Sequence, residues 1–362
     1  MNEVNPLRQH RLHPLQTLVL SLLLVVLLGF LLKIGQNFLL PIIAAVISMY
    51  VLITLSDWLG RLPLLGRTPE WLRRLLVLAG FVGVVAGLTS IVITTGEKMV
   101  ATAPGYQANL EHMLTSTTGF FGISHDPDWQ SIRAATIGRI NMQSLFGSVL
   151  GSVGAMAGMV VLVVVYALFL TSERGRFAAK LAMALPDDSA AQTKRMVADI
   201  NRRIGDYLAV KTGINIILAL ISLLILWLCG VDYALFWAVV IGLLNYIPYV
   251  GSMLAVLFPV LLTLAQFGSV QTTLLVAGLL TAAQMFVGNV LEPNMIGKQV
   301  NLSPFVVLVS LSLWSSLWGI AGAILAIPLT SMLVIVLAAF SATRPLAIML
   351  VEDASAYAQL PK

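Results

Sequence analysis

The C-terminal part of the chain is nearly free of charge over a length that a soluble fold would have to bury. Between residues 212 and 351 the only charged side chains are those of Asp232, Glu292, Lys298 and Arg344. The whole chain has 59% hydrophobic and 10% charged residues and a mean hydropathy of +0.94, more apolar surface than one soluble core of this length can hide. The sequence therefore predicts an integral membrane protein.

Six apolar runs are each long enough for a transmembrane helix of about 20 residues. They cover residues 15–32, 37–55, 75–95, 147–171, 212–230 and 272–290. We interpret the first run as a retained span rather than a signal peptide, because it lacks a small-residue cleavage site and a second span follows closely. The prediction is an all-α membrane protein with six transmembrane helices and two broken, re-entrant hairpins in its C-terminal half. Eight to ten full spans are the alternative.

The charges of the loops predict how the chain is oriented. Segment 57–74 carries four arginines against two acidic residues, and segment 172–211 carries eight basic residues. Both segments and both termini are therefore assigned to the cytoplasm, which makes the protein a multi-pass protein of the bacterial inner membrane. The balance reverses between residues 96 and 146, which we predict to be a small extracytoplasmic helical segment. The pI near 9.4 follows from these loops, and no nucleic-acid reader is predicted.

These segments divide the chain into six regions. An N-terminal three-span region covers 1–95, the extracytoplasmic segment 96–146 and the fourth span 147–171. A cytoplasmic helical region at 172–211 precedes a transport core at 212–345 and a short cytoplasmic tail at 346–362. In the fourth of these regions, helical spacing of apolar side chains predicts an amphipathic helix, made by Met196, Ile200, Ile204, Tyr207 and Leu208. A surface position is favoured, with packing on a neighbouring subunit or transmission of motion as alternatives.

Glycine and proline interrupt two apolar stretches of the core, residues 233–266 and 303–342, near their middles. The interruptions are residues 245–252 in the first stretch and 318–322 in the second. Arms of about 13 to 15 residues reach roughly 20 Å, short of a hydrocarbon core of about 30 Å, so re-entrant hairpins fit better than full spans. Opposed broken helices are a known way to build a transport site. The similar spacings Gly251 to Pro259 and Gly319 to Pro328 indicate a degenerate repeat.

Polar side chains near these interruptions are the candidates for a substrate or ion pathway. A carboxylate at the edge of hydrocarbon is costly, which favours a functional role for Glu292. An interfacial turn that faces water is the alternative for Glu292, and hydrogen bonding between helices is the alternative for the amides. The candidates are Asn245, Tyr246, Gln284, Asn289, Glu292 and Asn301. Proton coupling would require Glu292 or Asp206 to change its charge near neutral pH.

Several functions are excluded or disfavoured because the sequence lacks the motifs and residue clusters that they require. No phosphate-binding loop occurs, so we predict gradient-driven or passive transport rather than ATP-driven transport. The four histidines lie outside the apolar runs and no pair of aspartates lies within them, which argues against an intramembrane enzyme. No cluster of histidine, cysteine or carboxylate has the spacing of metal ligands, so neither a metal nor a cofactor is predicted. An oligomeric channel or scaffold remains an alternative.

Three motifs carry a resemblance to a known family. They are Ile247-Pro248-Tyr249-Val250-Gly251; Gly288-Asn289-x-x-Glu292-Pro293-x-x-x-Gly297 with Asn301-Leu302-Ser303-Pro304; and Gly319-x-x-Gly322 with Leu325-Ala326-x-Pro328. Together they resemble the autoinducer-2 exporter-like (PerM-type) permease family. The resemblance implies a permease that exports a small polar solute such as autoinducer-2, or exchanges sodium for protons. It also implies a homo-oligomer, with a pentamer as one option.

The family motifs also imply roles for individual residues. We expect the glycines and prolines to shape the hairpins and Glu292 to take part in binding or gating. The hairpin-shaping residues are Pro248, Gly251, Pro293, Gly297, Gly319, Gly322 and Pro328. The expected partners are the lipid bilayer, the small solute, and sodium or protons.

Overall fold

The computed structural model describes residues 14–61, 67–120, 161–173, 187–296 and 301–355, together with positions 63, 159, 176, 180 and 183. This part of the chain is helical. The helices are α1 (Pro14–Ile34), α2 (Gln36–Gly60), α3 (Glu70–Phe120), α4 (Val161–Glu173), α5 (Asp187–Leu228), α6 (Ala234–Leu244), α7 (Val250–Phe267), α8 (Val270–Phe286), α9 (Glu292–Ile296), α10 (Pro304–Ala339) and α11 (Arg344–Leu350).

Six of these helical segments are long and apolar enough to cross a membrane, which confirms the predicted class. Four of them contain predicted spans, namely α2, the first part of α3, α5 and α8. The other two are α7 and α10, which were predicted as parts of the hairpins. Helix α1 covers the predicted first span, and α4 contains the described residues 161–171 of the predicted fourth span. Residues 121–146, about half of the predicted extracytoplasmic segment, lie outside the described residues.

The long helix α3 extends beyond its apolar span and contacts the base of the first hairpin. Its span ends near Met99, and the helix continues to Phe120. In this extension Tyr106 OH donates to the Asp232 carboxylate at 2.7 Å, and Asn109 donates to the Gln266 carbonyl at 2.6 Å. Burial is the main reason why the pKa of the Tyr106 phenol is raised, and Asp232 raises it further. The phenol therefore stays protonated and keeps donating this bond.

The predicted amphipathic helix and the predicted fifth span form one continuous helix, α5, of 42 residues. No proline lies between Asp187 and Leu228, so nothing ends the helix at the boundary that loop charges suggested. Its buried side chains Ile204, Tyr207 and Leu208 pack against α2 and α10. The apolar face is therefore covered by helices of the same chain, and the position of this segment relative to the membrane surface stays a prediction.

The first broken stretch consists of α6 and α7, which turn back on each other through residues 245–249. The ring centroids of Trp237 and Phe258 lie 6.4 Å apart, as expected for antiparallel arms. The turn ends at Tyr249, a non-glycine residue with φ of 60°. A Cβ placed on Gly251 would lie 1.8 Å from the Leu244 carbonyl oxygen, so only glycine allows this close approach.

The second broken stretch is α10, which folds back on itself at Gly319. This glycine has φ of 62° and ψ of −139°, far from helical values. The Trp314 indole donates to Thr330 Oγ1 at 3.0 Å, although a straight helix would separate residues 16 positions apart by about 24 Å. α10 is therefore a helical hairpin, with arms on either side of Gly319. The depth of both hairpin tips relative to a bilayer stays a prediction.

The two breaks share one backbone device. This device changes which residues of the two hairpins correspond to each other. A residue with positive φ is followed two or three positions later by a glycine that touches the end of the preceding arm. These pairs are Tyr249 with Gly251 and Gly319 with Gly322. A Cβ on Gly322 would lie 1.9 Å from the Trp314 carbonyl oxygen. The structural equivalent of Gly251 is therefore Gly322, not Gly319 as the proline spacing suggested.

Candidate functional site

A cavity of about 910 Å³ lies where the first hairpin tip meets α5, α8 and the second hairpin. The two hairpins touch beside it, because Ile247 of the first tip packs against Leu311, Ala323 and Ala326 of α10. The polar side chains of its wall include those of Tyr207, Lys211, Asn245, Gln284, Asn289 and Glu292. The cavity therefore gathers four of the predicted pathway residues, Asn245 from the first tip and Gln284, Asn289 and Glu292 from α8 and the two short segments that follow it.

Glu292 is carried into the cavity by an irregular turn. Helix α8 ends at Phe286, residues Val287–Leu291 form a π-helical turn, and α9 begins at Glu292. A π-helical turn shifts the helical register of the residues that follow it and is common at functional sites. Gly288 and Asn289 lie on this turn and also line the cavity. The motif around Glu292 thus marks a change in backbone geometry as well as a carboxylate.

The Glu292 carboxylate is paired with the ammonium group of Lys211. The Lys211 side chain is 8% exposed and that of Glu292 is 26% exposed, so the pair is largely removed from water. The Asn245 amide also donates to Glu292 Oε1, at 3.3 Å. One carboxylate oxygen therefore receives hydrogen bonds from α5 and from the first hairpin tip.

Sequence reasoning missed Lys211 because it counted this residue as the last basic side chain of the cytoplasmic loop. The structure places it inside the protein, at the start of the apolar part of α5. A signal was present in the spacing: Tyr207, Lys211 and Asn215 recur every four residues, which puts them on one helical face. Tyr207 and Lys211 line the cavity, and Asn215 Oδ1 accepts from Asn245 Nδ2 at 2.8 Å.

Gln284 is the cavity residue whose hydrogen bonding is incomplete. Its amide nitrogen Nε2 is buried and has no hydrogen-bond partner among the described residues. A buried donor without a partner costs free energy, so an acceptor supplied by water or solute is expected there. Gln284 lies on α8 one turn before the irregular turn, and it lines the same cavity as Glu292.

Other predicted pathway residues lie away from the cavity. The Tyr246 hydroxyl pairs with Thr212 Oγ1 at 2.7 Å, which joins the first tip to α5. The Asn301 side chain makes two hydrogen bonds to the backbone of Asp353, donating to its carbonyl at 2.6 Å and accepting from its amide at 2.8 Å. Asp206 is exposed on α5 and does not line the cavity.

The predicted hairpin-shaping residues divide by location. Pro248 lies in the first turn and lines the cavity, while Gly251, Gly319 and Gly322 form the two breaks. Pro328 is buried in the second arm of α10, and Pro293 is exposed in α9. Gly297 lies outside the described residues.

The helical membrane-spanning fold with a polar cavity between two broken helices defines a polytopic membrane transporter. Residues 20–342 match the family model described as AI-2E family transporter, and the chain belongs to this family. Its members are transporters rather than enzymes. This confirms the resemblance carried by the three motifs.

Individual relatives agree with the family assignment. The chain is 30% identical over 295 residues to a Haemophilus influenzae protein named "Putative transport protein", covering 79% of this chain and 84% of that one. It is 34% identical over 168 residues to the AI-2 transport protein TqsA of Escherichia coli K12, covering 46% and 47% of the two chains. It is also 39% identical over 172 residues to a Borreliella burgdorferi protein named "Putative transport protein". This match covers 47% of this chain and 48% of that one.

Proposed function

We propose that this transporter exports a small polar solute such as autoinducer-2 through the cavity at Glu292, driven by a gradient. The observation that carries the proposal is the pairing of Glu292 with Lys211 and Asn245 on the wall of a cavity between two broken helices. Intramembrane charges that face a cavity typically belong to a transport pathway. The name of the related TqsA supports autoinducer-2 as the first solute to test.

The chemistry of the wall suits a solute with hydroxyl groups. A hydroxyl donates to the Glu292 carboxylate and accepts from the Lys211 ammonium, so one solute can replace the bonds of the ion pair. Gln284 offers a further donor that has no partner among the described residues. Binding would then separate α5 from the irregular turn that carries Glu292, which links occupancy of the cavity to a change of conformation.

Sodium–proton exchange is the second candidate, and one observation favours it. Glu292 is the only carboxylate among the described residues that line the cavity, and a cation, the Lys211 ammonium, already occupies it. A sodium ion could take the place of that ammonium at the carboxylate.

We also propose the inner-membrane location, cytoplasmic termini and a homo-oligomer. Exposed apolar side chains along most of α1 support further packing against lipid or another subunit.

Proteoliposomes test these functions directly. Wild-type protein is reconstituted with a pH-sensitive dye inside for sodium addition, and separately with labelled autoinducer-2. Glu292→Gln is compared with Asp199→Asn, a matched carboxylate removal on the exposed face of α5. Saturable solute flux that Glu292→Gln abolishes and Asp199→Asn retains supports the proposal. Sodium-dependent proton movement with the same pattern supports the second candidate, and flux unaffected by Glu292→Gln excludes a role for this carboxylate.

A further inference from the structure

The cavity at Glu292 has a second, apolar zone that a small polar solute leaves unused. Beside the polar wall, helix α7 contributes aliphatic and thioether side chains, those of Met253, Val256, Leu257 and Val260. Helix α8 adds Ala277 and Met285, with the hydroxyl of Thr281 between them. Residues 253, 256, 257 and 260 lie on one face of α7 and extend over about 10 Å of helix. The cavity is therefore amphiphilic, with a polar end and an aliphatic groove.

The groove is open on its outer side. Met253 is 63% exposed, Leu257 41% and Met285 59%, although all three line the cavity. Both α7 and the segment Val270–Met295 have the length and hydropathy of membrane spans. In a bilayer such exposed apolar side chains face acyl chains, so the groove opens laterally toward lipid rather than only toward water.

The polar end determines which head group the groove can accept. Lys211 and Glu292 bear opposite charges and already bond each other, so a head with net charge would leave one of them without balance. Asn245 and Gln284 add amides, and Gln284 Nε2 has no partner among the described residues. Uncharged hydroxyl groups satisfy carboxylate, ammonium and amide together.

We infer that the cavity binds a single-chain amphiphile with an uncharged, hydroxylated head, which enters from the bilayer along the exposed side chains Met253, Leu257 and Met285 of α7 and α8. The head occupies the polar end at Glu292, Lys211 and Gln284, and the chain lies along Met253, Leu257 and the neighbouring groove residues. This inference rests on the proposed function, because it uses the same pathway, and it extends the solute class from small polar molecules to lipid-like ones.

The test is equilibrium binding of radiolabelled 1-O-decylglycerol to the full-length protein in lipid nanodiscs, with empty nanodiscs as the background. Leu257→Trp fills the groove, and because a well-fitted site tolerates little added volume we expect a loss of affinity of about tenfold or more. Leu261→Trp is the matched control, since Leu261 is exposed on the same helix but does not line the cavity. Saturable binding that only Leu257→Trp removes is the expected result.

Two further comparisons can overturn the inference. Decyl phosphate or decyltrimethylammonium binding as tightly as decylglycerol would contradict an uncharged head. Disulfide formation between two copies of Leu257→Cys in a Cys229→Ala background would show that a second subunit covers the groove instead. Binding that is absent, or equal in Leu257→Trp and wild type, also rejects it.

Failure of this inference is distinguishable from failure of the proposed function. Flux of autoinducer-2 without binding of decylglycerol would reject the groove as an amphiphile-binding site and would still support a transporter of small polar solutes. Binding of decylglycerol without flux of autoinducer-2 supports the amphiphile site and rejects that solute.

Discussion

The two hairpin tips use the same backbone device in different surroundings. The first tip presents Asn245 and Pro248 to the cavity. The second tip is held by α1: the Lys33 ammonium donates to the carbonyls of Ser316 and Leu317 at 3.1 and 2.8 Å, and the Trp318 indole donates to the Leu32 carbonyl at 3.0 Å. Protein groups thus satisfy free carbonyls of the second tip, whereas the first tip places the polar side chain of Asn245 on the cavity wall. The same device therefore borders a cavity in one place and is held by another helix in the other.

Replacing the close-contact glycines should have the largest effect and should be similar at both tips. Gly251→Ala and Gly322→Ala each force a Cβ into a carbonyl oxygen, so we expect a loss of about 3 kcal/mol or more of unfolding free energy. Thermal unfolding in detergent measures it. Gly278→Ala is the control, because nothing lies within 4 Å of a Cβ there. A large loss at only one site would contradict the shared device.

Breaking the ion pair should affect the first tip next most strongly. Lys211→Met alone leaves a largely buried carboxylate without its charge partner, which we expect to cost about 3 kcal/mol. Glu292→Gln should cost a similar amount, and the double variant Lys211→Met/Glu292→Gln less than the sum. A double-mutant cycle of unfolding free energies measures the coupling. Additive losses would show that the pair does not contribute as a unit.

Removing the anchor of the second tip should have a smaller effect on stability and none on solute affinity. Lys33→Met removes two hydrogen bonds at a helix end, worth about 1 kcal/mol on an exposed side chain. Asn245→Ala, at the first tip, should instead raise the KM for solute. Flux assays with both variants provide the contrast. An equal change in KM would show that the second tip also binds solute.

Relieving the backbone of the first turn should have the smallest effect. Tyr249 has φ of 60° without being glycine, so Tyr249→Gly removes conformational strain but also adds disorder to the unfolded chain. We expect a net change within about 1 kcal/mol in unfolding free energy. Tyr249→Ala, which keeps the strain and loses the ring, is the comparison. Greater stability of the alanine variant would argue against strain at this position.

The fold class and the positions of both breaks could be predicted from sequence because they depend on local properties. Apolar runs report spans directly, and the clusters of glycine and proline at residues 245–252 and 318–322 report the regions where a helix is interrupted. The continuity of α5 could not be predicted in this way. Loop charges set a boundary at Lys211, but a helix ends only where its backbone is interrupted, and no residue there interrupts it.

The carboxylate of the site was predictable and its partner was not. Glu292 stands out because an acid is rare in an apolar run, whereas Lys211 lies among basic residues of a charged segment. Only tertiary packing brings residues 211 and 292 together. Tyr246 was selected because it lies at the first interruption, and Asn301 because it lies close to the motif of Glu292. Their hydrogen bonds to Thr212 and Asp353 show why proximity in sequence is a poor guide to the direction of a side chain.

The continuous helix α5 behaves mechanically as a rod with Lys211 partway along it. Lys211 lies 17 residues from Leu228, about 25 Å along the axis. A tilt of about 5° around the Leu228 end would displace Lys211 sideways by about 2 Å, more than a hydrogen bond tolerates. A force on the N-terminal part of α5, where Gln192 donates to the Ala339 carbonyl, would therefore reach the cavity without any local unfolding. A small tilt of this helix would then open the ion pair.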